Sequence, residues 1–262
     1  MIQDCLFEKR ADGVGLITFN RPDSLNAMGG ELLAQLRAHL ERCEHDAEVR
    51  CVAITGAGRG FCAGGDVKGF AARGSDAGIS SEALAQGALA VSLRLHTMPK
   101  PTVALVNGPA AGAGMSIALA CDLRFCSEQA RFVTAFAKIG LSGDYGGSYF
   151  LQRLIGYGRA LELYLLAEPI DAAGALELGI ANHVVPHDAL MARGLEYCAR
   201  LAAGPTHAYG NIKAAFNFSA GASAREALRF EAGTMADSAR SQDFAQAAKA
   251  WAEGRKAEFK GR

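Results

Sequence analysis

The sequence predicts an α/β fold with a mainly helical C-terminal part. Over the first 150 residues, short uncharged apolar segments alternate with longer amphipathic segments, which is typical of strands followed by helices. Two of the apolar segments run directly into glycine-rich turns. After residue 150, apolar residues recur at helical spacing through most of the chain.

Strands are expected where apolar, β-branched and aromatic residues run together. These segments are 14–19, 51–55, 102–107, 123–127 and 130–135. The first helix is expected near 29–43, because Leu32, Leu33, Leu36 and Leu40 share one helical face. Further helices are expected at AGMSIALAC and at 83–96, 158–167, 171–178, 188–203, 207–218 and about 224–257. The stretch 73–82 is expected to be a mobile lid or surface loop.

Composition is typical of a soluble globular protein. The chain has 262 residues, with 27 basic and 27 acidic side chains, so a basic nucleic-acid-binding surface is not expected. The apolar stretches are too short for a membrane span, and the start of the chain has no signal-peptide pattern. No membrane partner is therefore expected. Seven cysteines without a CxxC pair are expected to be buried or free thiols, which favours a cytoplasmic protein.

The glycine-rich turns suggest a site that uses backbone groups. GAGRGFCAGGD (56–66) lacks the third glycine of a dinucleotide-binding turn, because Phe61 stands at that position, and it lacks the Gly-Lys-Ser/Thr of a P-loop. NGPAAGAGMS (107–116) joins an apolar strand to an apolar helix, whose first N–H groups have no partner within the helix. Both turns could simply pack strand on helix. They could also present two N–H donors that converge as an oxyanion hole.

Four spaced motifs resemble the enoyl-CoA hydratase/isomerase (crotonase) family. They are ITFNRPDSLNAM, GAGRGFCAGGDVK, KPTVALVNGPAAGAGMSIALACDLRF and RKAEFKGR. The resemblance implies a spiral of ββα units over residues 1–200, which holds the thioester and CoA site. It also implies a C-terminal helical oligomerisation region over 201–262, and assembly as a homotrimer or homohexamer. The expected substrate is an acyl-CoA thioester, with no metal and no cofactor other than the coenzyme A that the substrate carries.

The resemblance also implies particular site residues. The N–H groups of Ala63 and Ala113 are expected to bind the thioester oxygen, and Asp144 is expected to move the proton. The residues expected to bind substrate or CoA are Ala27, Ala63, Gly64, Gly65, Asp66, Gly112, Ala113, Phe136 and Tyr145.

The proton-transfer groups depart from the pattern of the family's hydratases. Those enzymes use two glutamates, and the matching positions here are Ser116 and Phe136. Neither side chain can act as a carboxylate base, so isomerisation is favoured over hydration. The stretch VTAFAKIGLSGDYGG resembles the ring-epoxide isomerases of phenylacetate catabolism, and Asp144 lies where several relatives place their working aspartate.

Other interpretations of these residues stay open at this point. Asp144 could simply stabilise a turn, and the protein could be a divergent hydratase or a non-catalytic acyl-CoA-binding member. Dehalogenation would need a histidine on the helix before the second turn. The segment 86–93 contains none, and His96 comes later, next to the strand. His183 and His187 are expected in a solvated loop rather than a metal site, because Pro186 separates them. Asp122 is expected to bond local backbone.

Overall fold

The main sheet has six strands within the part of the chain that the structure describes. The computed structural model describes residues 3–66 and 80–262. The strands are β1 (Cys5–Lys9), β2 (Val14–Phe19), β3 (Cys51–Gly56), β4 (Thr102–Val106), β6 (Leu123–Ser127) and β9 (His183–Val185), hydrogen-bonded in that spatial order. β1 pairs with β2 antiparallel, and the remaining pairs are all parallel. A small second sheet contains β5 (Pro109–Ala111), β7 (Arg131–Val133) and β8 (Ile170–Asp171).

Helices cover both faces of the main sheet. Before the second glycine-rich turn these are α1 (Leu32–His45), α2 (Ser81–Ala88) and α3 (Arg94–Thr97), with a π-helical turn at Leu89–Leu93 between the last two. After that turn come α4 (Ala113–Ala120), α5 (Gly147–Ile155), α6 (Tyr157–Leu166), α7 (Ala172–Glu177) and α8 (Leu190–Ala202). The chain continues through α9 (Thr206–Ser219), α10 (Ala224–Ala239) and α11 (Gln242–Ala252).

The core follows from the alternation of side chains along the strands. On β3, Val52 and Ile54 face the larger apolar cluster, to which α1 contributes Leu36, while Cys51 faces the smaller cluster beneath α8. Leu32, Leu36 and Leu40 are fully buried, as their spacing predicts, whereas Leu33 is only partly buried. No helix within the described ranges is long and apolar enough to cross a bilayer.

Several predicted elements are confirmed, and others are wrong. The strands at 14–19, 51–55, 102–107 and 123–127 form to within a residue, while the strand predicted at 130–135 shortens to β7. The helix predicted over 224–257 is two helices, because the Ser241 hydroxyl accepts from the Phe244 N–H at 3.0 Å and begins α11. Of the stretch predicted as a lid, 73–79 lies outside the described residues, and Ser80 caps α2.

Candidate active site

The two glycine-rich turns leave the same edge of the sheet. β3 and β4 are parallel neighbours, so the turn at 57–66 and the turn at 107–112 both follow carboxyl ends of strands. In open α/β sheets, ligands commonly bind at this edge. The fold therefore brings together the two turns that the sequence marks as unusual.

The turns are hydrogen-bonded to each other. The Pro109 carbonyl oxygen accepts from the N–H groups of Phe61 and Cys62 at 3.0 and 3.1 Å, and the Ala111 N–H donates to the Cys62 carbonyl oxygen at 2.9 Å. A Cβ added at Gly114 would lie under 3.0 Å from that same Cys62 oxygen, so only glycine permits this approach. The relative position of the turns is consequently fixed by backbone contacts.

Two asparagines that the sequence reasoning missed hold the first turn in place. The Asn26 side-chain amide donates to the carbonyl oxygens of Ala57 and Gly60 at 3.0 and 2.8 Å, and the Asn107 amide donates to Gly58 at 2.9 Å. Asn26 is fully buried and has a φ of 59°, a conformation that asparagine tolerates better than most residues. The sequence signal that could have identified these two residues is a side-chain amide next to an apolar segment.

The structure contradicts the predicted role of the Ala63 N–H. This group donates to the Leu25 carbonyl oxygen at 2.9 Å, so it is already paired and is not available to a ligand. The N–H of Gly65, an exposed residue two positions further along the turn, has no acceptor among the residues that the structure describes. Gly65 was predicted to bind substrate, though not as the oxyanion donor.

The second turn presents the N–H of Ala113 at the start of α4. Gly112, which precedes it, has φ 50° and ψ −124°, a conformation that strongly favours glycine. Its N–H donates to Val133 O at 2.9 Å, and its carbonyl oxygen accepts from the Ser116 N–H at 3.0 Å. Within the described part of the chain, the Ala113 N–H has no acceptor, and it lies at the positive end of the helix dipole.

Asp144 lies in a loop with unusual backbone geometry. The residues around it, Gly143, Tyr145 and Gly146, have φ values of 130°, 49° and 78°. A positive φ at tyrosine is uncommon and stores strain of the kind often found at functional sites. The loop turns sharply on both sides of Asp144, as a loop that projects one side chain would.

The Asp144 carboxyl group is desolvated and unpaired. Its Oδ1 atom is buried and has no hydrogen-bond partner among the described residues. Burial raises the pKa of this carboxyl from its usual 3.8 to about 6. An aspartate that merely stabilised a turn would accept N–H bonds and have a lowered pKa, so the geometry favours proton transfer.

Aromatic residues lie around Gly112 and the loop that carries Asp144. Phe136 is buried, stacks on Tyr164 with an interplanar angle of 9°, and would contact a Cβ at Gly112 at 3.6 Å. Tyr164 was not identified from the sequence, because nothing in α6 distinguishes it from a core residue. Tyr145 is buried, and its phenol interacts with Arg37 of α1.

The other predicted binding residues lie around the first turn. Arg21 donates to the Ala27 carbonyl oxygen at 2.5 Å and lies 3.9 Å from the Asp66 carboxylate. The Gly64 carbonyl oxygen accepts from the Met28 N–H at 2.7 Å. Ala27 and Gly64 therefore use backbone groups to build the site, and their contact with substrate stays a prediction.

Several polar residues lie outside the site. His183 belongs to β9 and packs on Phe125, so the predicted solvated loop is wrong there, and His187 bonds Ser127. No cluster of three metal-ligating side chains occurs within 3–66 and 80–262. Asp122 pairs with Lys213 at 2.9 Å and accepts from the Thr102 N–H at 2.8 Å, because α9, which carries Lys213, packs beside α3 just before β4. The prediction of purely local bonds is wrong.

Comparison with known proteins shows which family the chain belongs to. Residues 9–262 match the family model described as enoyl-CoA hydratase/isomerase. The chain is 36% identical to the 1,2-epoxyphenylacetyl-CoA isomerase of Escherichia coli over 95% of this chain and 96% of that protein. It is 37% identical to the 4-chlorobenzoyl coenzyme A dehalogenase-1 of Arthrobacter over 78% and 75%.

The structural match has the same extent. An enoyl-CoA hydratase from Polaromonas superposes with a TM-score of 0.89 at 30% identity, over 97% of this chain and 99% of that one. The match confirms the predicted crotonase-type fold. The three similar proteins carry three different reaction names, so similarity alone does not choose the reaction. The chain belongs to the enoyl-CoA hydratase/isomerase family of acyl-CoA-processing enzymes.

Proposed function

We propose that the protein is an acyl-CoA isomerase that takes a proton from one carbon of the acyl chain and returns it to another. The observation that carries this proposal is the desolvated, unpaired carboxyl group of Asp144, in a loop whose Gly143 lies against Phe136, the ring that also lies against Gly112 of the second turn. One carboxylate is sufficient for such a shift, since it can accept the proton and then deliver it. The proposal makes Asp144 the proton carrier and the turns the binding site for the thioester oxygen.

The turns lower the cost of removing the proton. When the α-proton leaves a thioester, negative charge develops on the carbonyl oxygen. The Ala113 N–H at the start of α4 and the Gly65 N–H are donors without acceptors in the described structure, and we assign them to this oxygen. Each such donor is typically worth about 10²–10³ in rate. Gly65 replaces Ala63 in this role because the Ala63 N–H is bonded to Leu25.

The raised pKa suits Asp144 to its role. With a pKa of about 6 the carboxyl is mostly ionised at neutral pH, yet it is a stronger base than an ordinary aspartate. Catalysis by the ionised form is therefore expected to weaken as the pH falls through about 6. The protonated form that results from the first step can then return the proton to a second carbon.

Hydration is disfavoured by Ser116 and Phe136, which stand where the family's hydratases have their two glutamates. Addition of water needs a group that holds and deprotonates the water. The position of one expected glutamate is the apolar Phe136, and the hydroxyl of Ser116 at the other position donates to the Gly112 carbonyl oxygen at 3.2 Å. Ser116 is buried and cannot serve as a carboxylate.

A panel of acyl-CoA thioesters tests the reaction type. We expect 3-enoyl, dienoyl or ring-epoxide thioesters to be converted without a change in mass, which mass spectrometry and NMR of the product would show. Crotonyl-CoA should gain water slowly or not at all, and 4-chlorobenzoyl-CoA should keep its chlorine. Efficient hydration or chloride release, without isomerisation of any member of the panel, would overturn the proposal.

We also propose that the protein assembles as a homotrimer or homohexamer. Apolar side chains of the last three helices are exposed, with Trp251 at 86%, Phe216 at 76% and Leu228 at 67%. Phe216 lines an apolar cavity of about 560 Å³ between α5 and α9. Surfaces of this kind usually contact another protein. Light scattering at micromolar concentration should give the mass of three or six chains, and a monomer would contradict the proposal.

A further inference from the structure

Two hydroxyl groups, those of Tyr164 on α6 and Ser116 on α4, form a line that leads to the Gly112–Ala113 peptide group. We call these two groups the hydroxyl line. Tyr164 and Ser116 both approach Gly147, where an added Cβ would lie under 3.0 Å from each of their hydroxyl oxygens. The two hydroxyls interact with one another, and the Ser116 hydroxyl lies 3.2 Å from the Gly112 carbonyl oxygen. That carbonyl and the Ala113 N–H belong to the same peptide group, and they point in opposite directions.

The direction of these hydrogen bonds follows from the groups present. A carbonyl oxygen can only accept, so Ser116 uses its single proton to donate to Gly112. The Ser116 oxygen is then left to accept from the Tyr164 phenol. Burial raises the pKa of that phenol to about 12, so it carries its proton at neutral pH and is able to donate.

We propose that Tyr164 is a positioning residue for the oxyanion donor Ala113, acting through Ser116 and the Gly112 carbonyl group. The inference rests on the proposed function, and it assigns a role to Ser116, which stands where the family's hydratases have a glutamate. When the Ser116 hydroxyl donates to the Gly112 carbonyl oxygen, it fixes the plane of the Gly112–Ala113 peptide group. It also polarises the peptide, which strengthens the N–H on the other side as a donor.

The packing around Tyr164 supports this role. Its ring stacks on Phe136, whose own edge lies against Gly112. Phe136 is only 7% exposed and so keeps water away from the peptide. Where water is excluded, hydrogen bonds are electrostatically stronger. The aromatic residue at a position where hydratases have glutamate therefore shields the hydroxyl line.

The test measures polarisation of a bound thioester directly. Hexanoyl-CoA with ¹³C at its carbonyl carbon serves as the probe, and infrared difference spectra report the carbonyl stretch. Wild-type protein should lower this frequency on binding. Tyr164→Phe keeps the ring and its packing but removes the hydroxyl, and should lose part of the shift. Its kcat on the best panel substrate should fall about three- to tenfold, the usual worth of one neutral hydrogen bond, while KM changes little.

A second variant and a control make the result specific. Ser116→Ala breaks the same line at its other end and should lose at least as much of the shift. The double variant should behave like Ser116→Ala alone, because the two hydroxyls act in series. Tyr157→Phe, a 69% exposed tyrosine of the same helix, should change neither frequency nor kcat.

Two outcomes would overturn the inference in different ways. If wild-type protein shifts the carbonyl stretch and both Tyr164→Phe and Ser116→Ala retain the full shift and kcat, the hydroxyl line has no role and the proposed function stands. If wild-type protein binds the probe without any shift, the oxyanion site itself is wrong, and the proposed function falls together with the inference.

Discussion

Replacing Asp144 by asparagine is expected to reduce turnover of the best panel substrate by about 10²–10⁴, the usual loss when a general base is removed. Asparagine preserves size but cannot take up a proton near neutral pH. The binding of acyl-CoA should change little, because the proposed oxyanion donors are main-chain groups that the substitution leaves in place. Steady-state kinetics together with a calorimetric Kd for a saturated acyl-CoA measure both effects.

The matched control is Asp188→Asn, which removes the same charge from an exposed turn distant in sequence from the site. It should keep wild-type activity. A near wild-type rate in Asp144→Asn would reduce Asp144 to a turn residue and end the isomerase proposal.

The same variant is also expected to be more stable than the wild type at pH 8. The pKa of Asp144 is raised on folding from 3.8 to about 6, so the folded state favours the protonated form. The contribution of this protonated carboxyl group to the free energy of unfolding is fully present below about pH 4 and is lost as the pH rises through 6. Asparagine is neutral at every pH. The free energy of unfolding of Asp144→Asn should therefore exceed that of the wild type by about 2 kcal/mol at pH 8, after a discount for partial exposure. Thermal melts should show a smaller gain at pH 5, whereas an equal or larger gain there would contradict the desolvated carboxyl.

Gly112→Ala is the second substitution with a large expected effect. A Cβ at this position has room, since its nearest neighbour is the Phe136 Cζ atom at 3.6 Å. The backbone angles of 50° and −124° are nevertheless strained for alanine. The chain should fold with the peptide rotated, so that the Ala113 N–H no longer points at the thioester oxygen. We expect kcat/KM to fall about 10²–10³, the typical value of one oxyanion donor.

The control for this change is Gly158→Ala, in the first turn of α6, where an added Cβ meets nothing within 4 Å. It should preserve activity and leave stability unchanged or slightly higher. If Gly112→Ala kept wild-type kcat/KM while folding normally, the second turn would serve only to pack the strand against the helix.

Sequence patterns predicted the parts of the site that depend on local chain properties. The apolar strands 51–55 and 102–107 were identified because a buried parallel strand has an uncharged, β-branched composition. The turns that follow them were identified from their glycines. Asp144 was singled out because it is the lone carboxylate in a glycine-rich loop, and its raised pKa is a property of the burial that the fold then imposes.

The remaining features depend on contacts between distant segments. Whether Ala63 or Gly65 presents its N–H is decided by the Leu25 carbonyl oxygen, which belongs to a different loop. Asn26 contacts Gly60 across 34 residues. Tyr164 reaches Ser116 only because α5 packs against both α6, which carries Tyr164, and α4, which carries Ser116. The sequence of α6 is that of an ordinary amphipathic helix. Such partners are fixed by packing rather than by local pattern.

The most direct measurement of the central claim is exchange of the acyl α-protons with solvent. It needs no knowledge of the natural substrate, because any bound acyl-CoA with an α-proton reports on the base and the oxyanion donors together. In deuterated buffer, wild-type protein should catalyse α-deuterium incorporation into hexanoyl-CoA or 3-hexenoyl-CoA, detected by NMR and mass spectrometry, and Asp144→Asn should reduce that rate at least a hundredfold. Exchange that proceeds equally well in Asp144→Asn, or no exchange by a wild-type protein that binds both thioesters, would contradict the account.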